Sequence, residues 1–444
     1  MLPQSSERAP EPGLRRYLTA SYLAIVGVGT MIGTGWLVQV ANWWSSSGRV
    51  GPAIGFLCGG MSLLPVSTVY ARLSTDMPSS GAELVFARPL STTLSFFGGW
   101  AVILAYAVVC PWEAIQLGRI ASGLWHPLGA SLYRIGQADV TIGHLCIGMP
   151  ATLALFFVHL RGIATVASMQ RLAVGLLLLT TAITVGIALQ TGSTESLLHP
   201  AFGASGGASS IFGMTLVVPF FLAGFESPVR CADERGHKTP AAHLGLATYW
   251  ALALGTGIYV VLLLSVGALG ALWDQQGFPT ARVLAIASGK TWMEQAVTIV
   301  AMASLFKCFN GSLLAASRTA WAMSLDGLLP PSIGKLDARQ VPRRVLSLLC
   351  LTTVGLTALG NGVLGPLVEL GSLGFLMSWA IASLAGIKKF GGTLNAVSWV
   401  SLVVCLILIG GLVHEWLSHA GAIPIWVAFA AWLLAGMAFL LARS

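Results

Sequence analysis

Twelve apolar stretches, each of about the length that crosses a bilayer, constrain this chain more than any other feature. They fall at roughly 18–44, 50–72, 91–118, 140–160, 168–190, 209–230, 243–271, 291–325, 344–361, 363–387, 393–414 and 422–442. A crossing helix needs about 20 predominantly apolar residues. Inside hydrocarbon each backbone N–H and C=O must find its partner within the chain, so the stretches are read as helices. Twelve spans use about 240 positions and leave about 200 for short loops and tails, with no room for a sizeable soluble domain. Composition agrees: 55% of the 444 residues are hydrophobic and 9% charged, against about 25% charged in a soluble domain. A soluble enzyme, a secreted disulfide scaffold and a disordered chain are excluded. The expected fold class is an all-α polytopic membrane protein of twelve transmembrane helices, and its function must sit within the membrane.

The net charge of +8 would point to nucleic acid in a soluble protein, but here the placement of charge matters more than its sum. With the N-terminus in the cytoplasm, eighteen of the 24 Lys and Arg side chains fall at or near the inner face. Arg49, Arg119, Arg134, Arg282 and Lys290 reach the outer face, and Lys307 is left in mid-span. This asymmetry predicts that both termini are cytoplasmic, in a plasma membrane taken as a bacterial inner membrane. Nucleic acid is not expected as a partner, and oligomeric state is not readable. The first apolar stretch follows Arg15 and Arg16 as a signal peptide might, but it is too long and lacks a small-residue cleavage site, so it reads as a retained span.

Several motif look-alikes carry no chemistry. Ser304-Leu305-Phe306-Lys307 fits S-x-x-K, yet it lies deep in an apolar helix without the companion signatures of a penicillin-binding site. In His414-Glu415 followed by His419, one residue too many turns the second imidazole by about 100° off the shared zinc face. Gly289-Lys290-Thr291 lacks the P-loop glycine, since Leu284 stands there. The seven cysteines form no C-x-x-C pair and read as packing residues. No catalytic residue, cofactor or metal is expected.

Two spans have centres that make poor helix. Gly27, Gly29, Gly33 and Gly35 fall within nine residues of the first span, and each costs about 1 kcal/mol relative to Ala in a helix interior. The run reads either as a break or as close helix packing through the Gly29–Gly33 pair. The sixth span carries Pro219, Gly224, Glu226 and Pro228, which argue against an unbroken helix. A charged Glu226 there costs at least about 2.5 kcal/mol, so it marks either a functional pathway or a buried ion pair. Paired discontinuities in corresponding spans point to an inverted-repeat transporter. The expected organisation is a tail at 1–17, a first five-helix repeat at 18–190, a second, upside-down repeat at 209–387, and two further helices at 393–442.

The run Gly27–Gly35 resembles the first-helix signature of the amino acid, polyamine and organocation (APC) transporter superfamily. Phe220–Ser227, with Ala232-Asp233-Glu234 and Lys238-Thr239-Pro240, is similar to that superfamily's sixth-helix segment. Arg72 with Met77–Glu83 resembles the loop after helix 2, and Ser317-Arg318 through Pro330 the end of helix 8. The resemblance covers roughly residues 18–345 and implies a leucine-transporter-type fold with substrate held between broken helices 1 and 6. Unwinding helix 1 would free backbone N–H groups at Thr30, Met31, Ile32, Gly33, Thr34 and Gly35 for an anionic group such as a carboxylate. Unwinding helix 6 would free carbonyls of Phe221, Leu222, Ala223 and Gly224 for an ammonium. Phe220, Phe221, Phe225 and Trp36 could close over the ligand or simply pack.

By the same resemblance, Glu226 is a candidate for proton-dependent gating. Glu113 and Ser312 join the substrate-lining set, though Glu113 could equally be a carboxyl near the helix end reaching water. Lys307 departs from the pattern, standing where sodium-coupled relatives place hydroxyls on helix 8. It reads either as a built-in cation, pairing with helix 1 carbonyls or Glu226 and making transport sodium-independent, or as a static partner of Glu113 or Glu226. Arg72, Glu83, Arg88, Asp233, Glu234, Arg318 and Asp326 are candidates for an inner gate. The expected function is a secondary transporter of an amino acid or related small amine working by alternating access. A proton or exchange is expected to drive it rather than sodium; a sodium-coupled antiporter, a channel and a membrane enzyme are the alternatives.

Overall fold

The computed structural model describes residues 13–33, 35–135, 138–272, 279–418 and 423–441. Twelve helical bodies follow the order of the twelve apolar stretches. They are α1 (Ala20–Val38), α2 (Gly51–Asp76), α3 (Thr92–Leu124), α4 (His144–Leu160), α5 (Ile163–Thr191), α6 (Gly207–Arg230), α7 (Ala242–Ala268), α8 (Trp292–Leu325), α9 (Arg343–Thr357), α10 (Gly360–Lys389), α11 (Gly392–Ser418) and α12 (Ile423–Leu441). Ten of them are long and apolar enough to cross a membrane on their own; α4 and α9 are shorter. The chain is thus an all-α polytopic membrane protein.

α2 is divided only by a turn at Leu63, between Gly51–Ser62 and Leu64–Asp76, whereas α1 and α6 are interrupted over several residues. α1 consists of Ala20–Met31 and Gly35–Val38; Gly27 and Gly29 lie inside the first piece, where a Cβ would come within 2.6 Å of Ala251 and 2.3 Å of Gln170, so the first half of the glycine run packs closely and the helix stops only after Met31. α6 runs as Gly207–Leu222 and resumes as the single turn Ser227–Arg230. Between these pieces the ladder is diverted: Gly224 N–H donates to Glu226 Oε2 at 3.1 Å. Gly224 has φ +108°, and a Cβ there would lie 2.9 Å from Met31 N and from the Thr30 carbonyl carbon. A positive φ and this close approach both require glycine, and the contact puts one break directly against the other.

One connection departs from the expected all-helical chain. β1 (Ser131–Ile135) and β2 (Ala138–Thr141) form an antiparallel hairpin between α3 and α4. Outside the membrane spans, hydrogen bonding from Arg134 holds the Asp139 carboxyl below its ordinary value. Tyr133 OH donates to Ala358 O at 2.6 Å, pinning the hairpin beside the end of α9. The fourth span therefore starts at His144 rather than at 140, because the residues before it are spent on the strand.

The core gathers where α3 packs against α8 and α10, and where α1 meets α7. Only 11% of the apolar window of α12 is buried, against 83% for α10, which puts α12 at the periphery with its apolar side chains facing outward. Leu172 and Leu351 are likewise about 70% exposed (67% and 72%), as lipid-facing positions are in a bilayer, where an apolar exterior carries no penalty.

Candidate functional site

The two helix breaks enclose a cavity in the middle of the bundle. α1 contributes Thr30, Met31, Gly33 and Gly35; α6 contributes Phe220, Phe221 and Ala223. α3 lines it with Tyr106, Val109, Trp112 and Glu113, α8 with Cys308 and Ser312, and α10 with Phe375. The centre of a water-sized sphere reaches only about 20 Å³ of this space. That is room for about one water, so the cavity must widen to admit a ligand. The edge-to-face rings of Trp112, Phe220 and Phe221 form one wall, 5.3–6.3 Å apart at their centroids.

Glu113 is the carboxyl side chain of the cavity lining. It is 2% exposed, and its Oε1 lies 2.9 Å from where a Cβ on Gly33 would stand; glycine at 33 is what lets the carboxyl touch the unwound backbone. The Cys308 thiol lies within hydrogen-bond reach of Glu113 and donates to Thr30 O at 2.9 Å. Oε2 of Glu113 has no hydrogen-bond partner among the described residues. A buried, unpartnered carboxylate oxygen in a cavity is a ready acceptor for an ammonium donor.

The other expected site residues divide clearly. Thr30, Met31, Gly33, Gly35, Glu113, Phe220, Phe221, Ala223 and Ser312 line the cavity. Ile32 keeps the helical bond of its N–H to Val28 O, so that donor is not free. The carbonyl of Gly224 is likewise taken, by Ser227 N–H. Leu222 and Phe225 are fully buried and lie outside the lining; Phe225 packs on Tyr70 and Trp379. Trp36 is a core side chain, 1% exposed. Thr34 lies outside the described residues.

Glu226 sits one side chain away from the cavity. It accepts from Tyr106 OH at 2.7 Å and from Gly224 N–H. Lys307 is fully buried, and its Nζ donates to Ser304 O of its own helix at 3.3 Å. Among the described residues no ion pair joins Lys307 to Glu226 or Glu113, so neither expected pairing is formed in this conformation. Lys307 stays in range of Glu113 only through the longer Coulomb interaction.

Below the cavity, at the end of the bundle carrying Glu83 and Arg230, charged pairs seal the interior. Both guanidinium ends of Arg230 donate to Glu83, which also accepts from Tyr70 OH. Arg318 grips Glu234 at 3.1 and 2.6 Å, both side chains 1% exposed. Ser80 and Asp233 exchange hydrogen bonds at 3.0 and 3.1 Å, and Arg88 pairs with Asp326 nearer the surface. The chain entering α1 is stitched on as well, with Tyr17 and Leu18 N–H donating to Glu234 O. Of the expected gate residues, Arg72 stands outside these pairs.

Sequence reasoning missed Tyr106, Val109, Trp112, Cys308 and Phe375 in the lining and Arg230 as the partner of Glu83. Tyr106, Val109 and Glu113 are spaced i, i+3 and i+7, one helical face, a signal that was available. The Glu83–Arg230 pair spans 147 positions of sequence and left no local trace.

Comparison with known proteins points the same way. The family model described as amino acid permease matches residues 18–439. The chain is similar to a methylthioribose transporter of Bacillus subtilis (strain 168), 25% identical over 97% of this chain and 94% of the relative. It is similar to the branched-chain amino acid permease BcaP of the same organism, 26% identical over 96% and 92%. It also resembles the vacuolar cationic amino acid transporter 4 of Arabidopsis thaliana, 28% identical over 82% and 62%.

Proposed function

This chain belongs to the amino acid permease family, within the APC superfamily, and from that premise we propose that it carries an amino acid or related small amine across the membrane by alternating access. The observation that carries the reading is the unpartnered Oε2 of Glu113 inside a cavity bounded by both helix breaks. A zwitterion fits this arrangement with its carboxylate toward the backbone at Gly33–Gly35 and its ammonium toward Glu113 and the carbonyls at the end of the first half of α6. Helix-end dipoles favour the first contact and a charge-assisted hydrogen bond the second.

The two breaks occupy corresponding positions if α1–α5 and α6–α10 are inverted repeats, with α11 and α12 outside the core. The sealed charged end is the cytoplasmic gate, with both termini on that side of a bacterial inner membrane by the distribution of Lys and Arg. The conformer is an occluded one, too narrow for its cargo. Lys307, turned to its own helix in this conformation, supplies a fixed cation on α8 where sodium-coupled carriers hold a metal, so transport is sodium-independent. Glu226, buried next to the cavity, takes up the coupling proton. Relatives whose names span methylthioribose, branched-chain and cationic amino acids support a small polar cargo with an apolar or cationic side group.

Thermal stabilisation of the detergent-solubilised protein by a panel of amino acids, diamines and amino alcohols, with and without Na⁺, tests this. Ligands that bind the folded state raise its melting temperature by mass action. At least one amine should do so equally with and without Na⁺; no stabilisation by any of them would overturn the reading.

A further inference from the structure

Two carboxyls and one guanidinium share a sealed compartment under the cavity. Glu83, Glu226 and Arg230 are each 0% exposed; Tyr70 and Tyr106 face them, and the Cys231 thiol lies within Coulomb range of Arg230. Arg230 spends both Nη groups on Glu83. Glu226 has no cation on it, only Tyr106 OH and Gly224 N–H. The third donor of Arg230, Nε, is buried and has no acceptor among the described residues. Two acids and one base leave one surplus negative charge in a dry compartment unless the compartment also holds a proton, and an uncompensated buried charge is strongly disfavoured.

The chain connectivity decides which contact can break. Glu226 caps the turn Ser227–Arg230 and Arg230 ends it, four residues apart on one rigid piece. Glu83 opens the short helix Glu83–Phe86 between α2 and α3. Any opening that parts the lower piece of α6 from that connection takes Arg230 away from Glu83. Glu226 then remains as the acid within its reach.

We propose that Arg230 changes partners during transport, from Glu83 when the inner gate is shut to Glu226 when it opens, and that the exchange releases a proton from Glu226. The O–H bond of the Glu226 carboxyl breaks, its electron pair stays on the carboxylate that Arg230 now neutralises, and the proton passes to cytoplasmic water. Glu83, freed at the opened gate, stays a carboxylate and is hydrated by the water that enters, so one proton is released in all. Closure reverses each step. Arg230 and Glu83 are positioning residues here; Glu226 holds the proton. The inference rests on the alternating-access reading, and its test uses no substrate, so its failure is distinguishable from a failure of uptake.

Cys231 offers the readout: it is native, fully buried, next to Arg230 in the chain and packed with Leu18, Val26 and Ile163, so parting the lower piece of α6 from its neighbours should expose it. Its alkylation by N-ethylmaleimide would be followed by peptide mass spectrometry in the unaltered cysteine background. At each pH the rate is normalised to the SDS-unfolded protein. In the wild type the rate should climb with pH, approaching tenfold per unit for one linked proton. Glu226→Gln should be slow at every pH, Glu83→Gln fast at every pH, and Glu83→Asp should restore the slope. A wild-type slope persisting in Glu226→Gln would overturn the proposal, as would a flat wild type. Faster alkylation with an unchanged slope in Glu83→Gln would mean a static ion pair. Should Glu83→Gln fail to fold, Glu226→Gln and Glu83→Asp decide.

Discussion

A carboxylate oxygen held without a partner, as Oε2 of Glu113 is among the described residues, costs about 1–3 kcal/mol or more for a charged group. A protein that only needed stability would have no use for it. Glu113→Gln should therefore leave the melting temperature of the empty protein unchanged or higher. It should weaken amine binding by about tenfold to a hundredfold, the equivalent of one charge-assisted hydrogen bond; calorimetric titration with a stabilising ligand measures both. Gly224 makes the opposite demand. With φ +108° and the Thr30–Met31 backbone 2.9 Å from any Cβ, Gly224→Ala should cost more than the roughly 1–2 kcal/mol of a left-handed residue, because the two breaks must also move apart. Lower folded yield in a fluorescence size-exclusion profile would register it. Glu113 was visible in the sequence as a charge in an apolar span. Its missing partner was not, since that depends on four helices meeting.

Among the elements, the broken helices were readable because their cause is local: glycine and proline weaken a helix wherever they stand. The hairpin at residues 131–141 and the late start of α4 were not, since β1 and β2 stabilise each other and Tyr133 docks on another helix. The charged end behaves in the same way. Glu83, Glu234 and Arg318 could be named from the sequence as candidates for an inner gate, but their burial and their partners arise only from long-range packing. Depth sets what each pair contributes. Arg318→Ala strands a buried Glu234 and should cost about 3–5 kcal/mol, whereas replacing both partners by well-packed apolar residues should recover most of the loss. Arg88→Ala removes a pair whose arginine is 52% exposed and should change stability by less than about 1 kcal/mol. Thermal unfolding of these three variants and the wild type in one detergent compares them directly.

For the whole molecule, 9% charged residues placed the chain in the membrane before any motif was considered, and that scarcity made Glu113, Glu226 and Lys307 stand out. What the composition left hidden is their arrangement. Lys307 turns to its own helix, Glu226 to Tyr106, and Glu113 to the break in α1. The account joins these into a carrier whose cavity opens to one side at a time and whose cargo bridges two broken helices. Counterflow in proteoliposomes tests that claim most directly. Vesicles are loaded with an unlabelled amino acid that stabilises the protein, and entry of the labelled form is followed in sodium-free buffer. The account predicts saturable uptake that overshoots equilibrium without Na⁺ and falls by at least tenfold in Glu113→Gln. Uptake that is linear in concentration, needs Na⁺, or is unchanged by Glu113→Gln would contradict it.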